Sequence, residues 1–504
     1  MKKSLNLRYA VICVLILNAV IFGDSLVDVQ EQDRLAGYLR AHGYPSSGAG
    51  VLVSCLETDS VLVSMYPEKK FIPASVAKLI TAAVAFEKLG GDFTFKTQVY
   101  VDGAFDRLSG ALKGDLYIRG MGDPGLYAER MWLLVKHMYH RGLRKIEGDL
   151  ILDDFYFDSA TIGPGFDDDH TSRSYQAPAG ALSAGFNCIA IHARPGDKAG
   201  DPVLVDVFPP CLHTRIIATA KTVENQPVGL SVTTKTMDDK TAVQVFGSMS
   251  VAAPPRYIYR KSWQTWEHFG RVIAGLFQEN AITFNGQILH AVVPDSVRQR
   301  GLFHTFESEP LTAHIESMLK YSSNFAAEML FKTIAAREID SLPGSWERAS
   351  TVVKTWWQEN GLADEPVIAN GSGMGKVNAL SPAQVVSLLR QVWRSKNYYP
   401  DFLSSLSVAG VDGTLKRRFV YSPLKGILRA KTGTLNDLGV STLAGYVLKD
   451  GFTYAFAVLI NSKSVGQFQH WQTQEHILEL ALFPQPKTRH SNSNGESASD
   501  SRER

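Results

Sequence analysis

The sequence predicts an α+β fold, an antiparallel sheet flanked by helices, interrupted by a large β-rich insertion that forms one or two extra domains. Three observations predict it. The chain has 504 residues, more than a single hydrophobic core usually organises. Between residues 94 and 300 it is dense in short β-branched runs, at 97–101, 150–152, 203–207, 230–234 and 242–246, broken by Gly, Pro and Asp. Short strands at that density read as β-rich modules. On either side the character is mixed, with helical patterns at 311–321, 325–336, 346–360 and 382–393 and strand patterns at 50–54, 61–64, 427–434, 440–448 and 452–460. The expected division is a signal at 1–23, a main domain split into 24–95 and 301–484, the insertion at 96–300, and a disordered tail at 485–504.

Each segment has its own reason. Residues 1–23 start Met1-Lys2-Lys3, carry Arg8, continue with an apolar stretch at 9–22 and finish beside Asp24-Ser25. A basic start, a short apolar core and small residues near the cut make a secretory signal; an uncleaved anchor is the alternative, with a core short for a membrane span. Residues 50–54 and 61–64 form a hairpin leading to an Ala-rich run at 79–86, which stops at Leu89-Gly90-Gly91. The last two strands are joined by Lys449-Asp450-Gly451, a favourable hairpin turn. A closing helix at 467–482 gives way to Pro484-Gln485-Pro486 and a Ser-rich tail too polar to pack.

Composition narrows the classes. Apolar content of 45% and charged content of 20% are ordinary for a globular protein. Loss of the signal removes Lys2, Lys3 and Arg8, taking 52 basic residues to 49 against 50 acidic ones. A formal charge near −1 leaves no field to draw nucleic acid, and at most a loose association with membrane. Of four cysteines, Cys13 leaves with the signal; Cys188 and Cys211 could pair in an oxidising compartment, while Cys55 reads as a buried thiol. The sequence decides neither point. His137 and His140, and Asp167-Asp168-Asp169-His170, read as solvated surface, because metal ligation needs further converging ligands. Trp263, Trp266, Trp356 and Trp357 read as core. No glycine-rich phosphate loop occurs, so no nucleotide, cofactor or metal is expected.

Three short motifs carry chemistry. Ser75-Val76-Ala77-Lys78 is one of three Ser-x-x-Lys strings, and Ser322-Ser323-Asn324 one of three Ser-x-Asn strings; Lys431-Thr432-Gly433 is the only Lys-Thr-Gly. Setting separates the copies. Ser75 opens the Ala-rich helix with Lys78 one turn on, on the same face, and the free N–H groups of a helix start can stabilise an oxyanion. The rivals at Ser422 and Ser317 contain a proline or lie inside a helix. A serine hydroxyl is a weak nucleophile until a base takes its proton. With no histidine suitably placed, Lys78 is the base, provided burial and a second cation keep it neutral. Lys431 could be that cation. It lies on a strand, 427–434, whose edge could pair with a peptide while Lys431 and the threonine hydroxyls hold a carboxylate. Gly433 would leave room for the substrate backbone.

With these motifs the chain resembles the D-alanyl-D-alanine carboxypeptidase/endopeptidases of the penicillin-binding protein 4 type. The resemblance extends to Gly122-Asp123-Pro124, Gly148-Asp149-Leu150-Ile151-Leu152-Asp153, Asn370-Gly371-Ser372-Gly373, the string Val408-Ala409-Gly410-Val411-Asp412-Gly413-Thr414-Leu415, and residues 430–435. It implies a β-lactamase/transpeptidase-like catalytic domain with the insertion threaded between the first two motifs. It also implies a secreted, periplasmic enzyme that acts on peptidoglycan peptides and is acylated by β-lactams. Roles carried over by the resemblance make Ser75 the nucleophile, Lys78 its base, and Ser322 a proton shuttle to the leaving amine. Asn324 would hold Lys78 and the substrate amide, and Lys431 and Thr432 the terminal carboxylate. The N–H groups of Ser75 and Thr434 would form the oxyanion hole, and Asp153 would meet the amino end of the diamino acid, with Asp154 competing for that match. Two positions depart from the family: Asn370, where Asp is usual, and Met121, where Gly is usual. Both are expected to tune stability or fit, leaving the chemistry intact. Two rival readings remain, a serine β-lactamase, which needs a water-activating carboxylate that no motif marks, and a non-catalytic wall-binding protein, which has no need of Ser75, Lys78, Ser322, Asn324 and Lys431 together.

Overall fold

The computed structural model describes residues 29–483 except 167–170, 209–210, 212–213, 226–228, 238–239 and 339–341. The signal at 1–23, the tail at 485–504, Cys13 and Asp167-Asp168-Asp169-His170 lie outside the described residues.

The main sheet has six antiparallel strands in the order Ser407–Val408, Leu428–Leu435, Val440–Lys449, Phe452–Asn461, Ala49–Cys55 and Val61–Met65. Its two ends in sequence meet where Val51 pairs with Val458. The Lys449-Asp450-Gly451 turn works because Asp450 and Gly451 both take positive φ, 52° and 81°, as a tight two-residue hairpin requires. Strand side chains alternate faces, and here both faces are covered. Ala455, Ala457 and Leu459 join the larger core beneath the helices Lys78–Leu89, Leu311–Tyr321, Asn324–Glu338, Trp346–Glu359 and Pro382–Arg394. Phe456, Val458 and Ile460 join the opposite core under Val29–Ala41 and Gln467–Leu482. That double burial explains the near-continuous apolar run of the Phe452–Asn461 strand.

Lys78–Leu89 is buried all round, from Lys78 to Phe86, so its Ala-rich composition lets neighbouring helices approach closely. Leu79, Ile80 and Val84 are fully enclosed, each worth roughly 1.5–3 kcal/mol of burial. Gly90 ends the helix at φ 82°, its N–H donating to the Phe86 carbonyl at 3.1 Å. Trp356 and Trp357 are fully buried core residues. Trp266 packs, partly buried, against the core of the inserted segment and stacks on His290 at 4.6 Å.

The long excursion between the motifs begins and ends in one seven-stranded sheet, where Thr94–Asp106 pairs with His304–Pro310. It also holds a four-stranded and a three-stranded sheet, in keeping with the density of short strands in the sequence. The helices Ala128–His140 and Trp266–Glu279 pack on the seven-stranded sheet. Topology requires the first of these: Ala111–Gly120 and Leu150–Asp153 are parallel neighbours, and a parallel pair needs a crossover. Cys188 and Cys211 are free thiols, as is Cys55. Burial pushes the Cys188 thiol up to about 12.

Candidate active site

Ser75 sits on a single 3₁₀ turn, Ala74–Ala77, that runs directly into the Lys78–Leu89 helix. Ala74 just before it has φ 44°, a conformation a non-glycine residue adopts only under constraint. The constraints are visible. Thr442 Oγ1 donates to the Pro73 carbonyl at 2.7 Å, and Asn461 grips Ile72 on both sides, accepting its N–H at 2.8 Å and donating to its carbonyl at 3.2 Å. A Cβ on Gly373 would stand 1.8 Å from the Ala74 carbonyl oxygen, so the Asn370–Gly373 loop can press there only with a glycine. The nucleophile turn is thereby clamped between the main sheet and that loop.

Lys78 is fully buried. Its Nζ lies 2.8 Å from Ser75 Oγ, 2.7 Å from Asn324 Oδ1 and 2.9 Å from the Ser372 carbonyl oxygen. The last two oxygens only accept, so they take both N–H bonds of a neutral amine and leave its lone pair for the Ser75 hydroxyl. Asn324 is oriented for this because its Nδ2 donates to the Tyr175 carbonyl at 3.0 Å. Burial pushes Lys78 down to about 7, against an upward pull from the Glu328 carboxylate. The neutral base therefore arises from desolvation. Burial first and the charge of Lys78 second hold Lys431 well below its ordinary range, so the two buried amines oppose each other's protonation.

Ser322 takes a left-handed conformation, φ 59°, at the corner between Leu311–Tyr321 and Asn324–Glu338. Lys431 Nζ donates to Ser322 Oγ at 2.8 Å and to the Thr432 carbonyl at 2.7 Å; a charged lysine would have a third N–H left. Thr432 Oγ1 donates to Thr414 Oγ1 at 2.8 Å. Among the described residues, no strand pairs with the outer edge of this strand beyond Ala430, where a peptide would need it. Ser407–Val408 pairs only with Arg429 and Ala430, and the Ala409 N–H donates to the Leu428 carbonyl. Even-numbered residues thus direct their backbone groups outward, so the N–H groups of Thr432 and Thr434 face the free edge.

At two of the expected substrate-binding positions the structure shows contacts within the protein itself. Gly433 does make a close approach possible, but to the protein's own backbone: a Cβ there would lie 2.2 Å from Thr442 Oγ1, 2.8 Å from Ser75 N and 2.9 Å from the Pro73 oxygen. Asp153 is buried, accepts from Phe155 N at 3.2 Å and Val293 N at 2.9 Å, and lies 3.6 Å from Arg119. Among the described residues no hydrogen bond or ion pair joins it to the Ser75 group. Its strand-end carboxylate ties the seven-stranded sheet to the following loops, and Asp154 is taken by His290.

The sequence reading missed Tyr175, Thr414, Thr442, Asn461 and Glu328. Tyr175 acts through a backbone carbonyl, which no side-chain pattern reveals. Thr414 was visible only as part of a longer string.

Asn370, one of the two departures, has a defined task. Its Nδ2 donates to the Pro164 carbonyl at 2.6 Å and the Met374 carbonyl at 2.9 Å, and its Oδ1 accepts from Gly373 N at 2.8 Å. Asn370→Asp would set a buried carboxylate oxygen against two carbonyls. The variant is expected to lose about 2–3 kcal/mol at pH 8 in denaturant melts, and less at pH 5, where protonation restores a donor. Equal stability of the two proteins at both values would contradict this.

The pattern of the D-Ala-D-Ala carboxypeptidase 3 (S13) family matches residues 32–481. The chain is 26% identical over 427 residues to the D-alanyl-D-alanine carboxypeptidase DacB of Haemophilus influenzae, covering 84% of this chain and 87% of that one. It is 29% identical over 428 residues to a D-alanyl-D-alanine carboxypeptidase of Actinomadura sp. strain R39, covering 82% and 78%. Among solved structures, penicillin binding protein 4 of Haemophilus influenzae superposes with a TM-score of 0.75 at 24% identity, covering 88% of this chain and 98% of that one. The same protein in complex with a β-lactam gives 0.71 at 25% identity, with the same coverage.

Proposed function

The chain belongs to the D-Ala-D-Ala carboxypeptidase 3 (S13) family, a premise from which we propose that Ser75 cleaves the bond between two D-alanines of peptidoglycan stem peptides. The enzyme is a serine hydrolase of the carboxypeptidase and penicillin-binding class. The observation that carries the assignment of roles is the three-oxygen environment of Lys78, which leaves its lone pair on Ser75 Oγ.

The substrate lies along the free edge of the Leu428–Leu435 strand, its carboxylate against Lys431, Thr432 and Thr414. Ser75 Oγ attacks the carbonyl carbon as Lys78 Nζ takes the hydroxyl proton. The tetrahedral oxyanion is held by the N–H groups of Ser75 and Thr434. The C–N bond breaks as the leaving amine receives, through Ser322, the proton that Lys78 took, and D-alanine departs from a Ser75 ester. Water then attacks the ester with Lys78 again as base, releasing the shortened peptide and the free serine. When the leaving amine belongs to the diamino acid of a neighbouring strand, the same steps open a cross-link, which is the endopeptidase activity. A β-lactam acylates Ser75 identically, but its leaving amine stays tethered. We place the enzyme outside the cytoplasmic membrane, where this substrate lies; among the described residues no helix is long and apolar enough to cross one.

The β-lactamase alternative needs a carboxylate free to activate water. Glu328, the buried carboxylate whose charge acts on Lys78, has both oxygens engaged by N–H donors, which favours a long-lived acyl-enzyme. Release of D-alanine from an N-acylated peptide ending in D-Ala-D-Ala, and cleavage of a D-alanine-linked muropeptide dimer, test the proposal. Activity on either substrate that disappears in Ser75→Ala supports it; inertness toward both from folded protein contradicts it. The acylation rate should also rise through about pH 7 and level off above, since only neutral Lys78 is a base. A flat profile from pH 5.5 to 9 would exclude Lys78 from that task.

A further inference from the structure

The helix Asn324–Glu338 carries polar residues at Asn324, Glu328 and Lys332, four apart and therefore on one face. Asn324 contacts Lys78 directly, and the other two lie behind it. Glu328 is 1% exposed. Its Oε1 accepts from Ser372 N at 2.9 Å, and its Oε2 from Gly371 N at 3.1 Å and Trp346 Nε1 at 2.7 Å. Thr81 Oγ1, one turn after Lys78, donates to the Gly371 carbonyl at 2.8 Å. The Gly371–Ser372 segment is thus held from two sides, and its Ser372 carbonyl accepts from Lys78. Gly371 can sit there because a Cβ would meet the Ala327 oxygen at 2.6 Å.

We propose that Glu328 is a positioning residue for Lys78: it holds the backbone that aims the Ser372 carbonyl at the amine, and its charge sets the pH at which that amine becomes a base. This rests on the reading of Lys78 as general base. The carboxylate works by contact with the loop and by charge through one intervening residue, and it touches neither substrate nor Ser75.

The charged surroundings fix the sign. Lys78 feels burial, which lowers it, and Glu328, which raises it; Lys431 faces it from the strand and is itself depressed by Lys78. On the far side, Lys332 is buried, 2.7 Å from Asp158, and lies over the Trp346 ring at 4.3 Å. It is held below its usual value by burial, against the pull of Asp158, Asp154 and Glu328. Glu328 therefore sits between two buried amines, and its negative charge favours the protonated form of both. Removing that charge lets Lys78 lose its proton at lower pH.

The test is the rate of acylation by a fluorescent penicillin from pH 5.5 to 9, with the full protein and the variants Glu328→Gln and Glu328→Asp. In Glu328→Gln the rising limb should move acidward by about 0.5–1.5 pH units. Its plateau should also fall, because an amide nitrogen now faces an N–H donor. Glu328→Asp keeps the charge on a shorter arm, so its limb should stay in place while the plateau falls. A folded Glu328→Gln with a lower plateau and an unmoved limb would reduce Glu328 to a structural support and overturn the proposal. If that variant does not fold, an acidward limb in Glu328→Asp overturns it equally. Absence of Ser75-dependent label in the unsubstituted protein would instead sink the reading of the site.

Discussion

Lys78→Met is expected to slow acylation by about 10²–10⁴-fold, the usual contribution of a positioned general base, and to erase its rise through pH 7. Methionine keeps the length and burial of the chain while removing the lone pair aimed at Ser75 Oγ. The loss to stability should be modest, because the folded protein already works to bury this amine. Its value in the unfolded chain is the ordinary 10.5, and in the fold about 7. The unfolded state therefore binds more protons between those limits, and stability due to this group rises as pH rises from about 7 toward 10.5. Below pH 7 the amine is protonated in both states, and the full penalty of burying its charge is in force. Methionine removes the penalty but strands Asn324 Oδ1 and the Ser372 oxygen, so the two changes oppose each other at neutral pH. The measurement is second-order labelling by fluorescent penicillin beside denaturant melts at pH 6 and 9. A variant that keeps the pH limb would show that another group deprotonates Ser75.

Gly433→Ala should be as damaging by an unrelated route. The added carbon meets Thr442 Oγ1, Ser75 N and the Pro73 oxygen, and two of those are backbone atoms of a turn that Thr442 holds at Pro73 and Asn461 holds at Ile72. Relief requires the nucleophile turn to move. Overpacking of this kind costs about 1–3 kcal/mol, and displacement by even 1 Å can take about 10²-fold from the rate. Gly37→Ala is the control. A Cβ there meets nothing within 4 Å, and its helical position should gain about 0.5–1 kcal/mol. Thermal melts and labelling rates of the two variants should diverge sharply. Comparable behaviour would mean that Gly433 backs onto open space after all.

The catalytic constellation was legible because its parts are side chains in recognisable local settings. Ser75 and Lys78 could be placed at a helix start and on one face from the Ala-rich run and its glycine stop alone. The strand carrying Lys431 and the hairpin at Asp450-Gly451 were equally clear, since apolar runs and turn residues mark them. What escaped was whatever depends on facing. Gly433 was seen to permit a close approach, yet nothing in the sequence tells which side its missing Cβ would occupy. Asp153 matches a family position, and what its place at a strand end does not reveal is that the N–H groups of Phe155 and Val293 bind its carboxylate. Glu328 and Lys332 belong to no motif, and opposite charges four residues apart suit a solvated helix face as well as a buried one. Only the burial of their helix from Phe325 to Ala335 makes them part of the site. Tyr175 brings the inserted segment into contact with Asn324 through a carbonyl that every residue type possesses.

The central claim is a covalent intermediate on Ser75, and time-resolved labelling with a fluorescent penicillin beside Ser75→Ala addresses it directly. The account predicts label that requires Ser75 and persists for many minutes, as a tethered leaving group and a fully occupied Glu328 imply. Label lost within seconds, with hydrolysis of the drug, would contradict it in favour of a β-lactamase. No label on folded protein at any dose would contradict it in favour of a protein that binds the wall without cutting it.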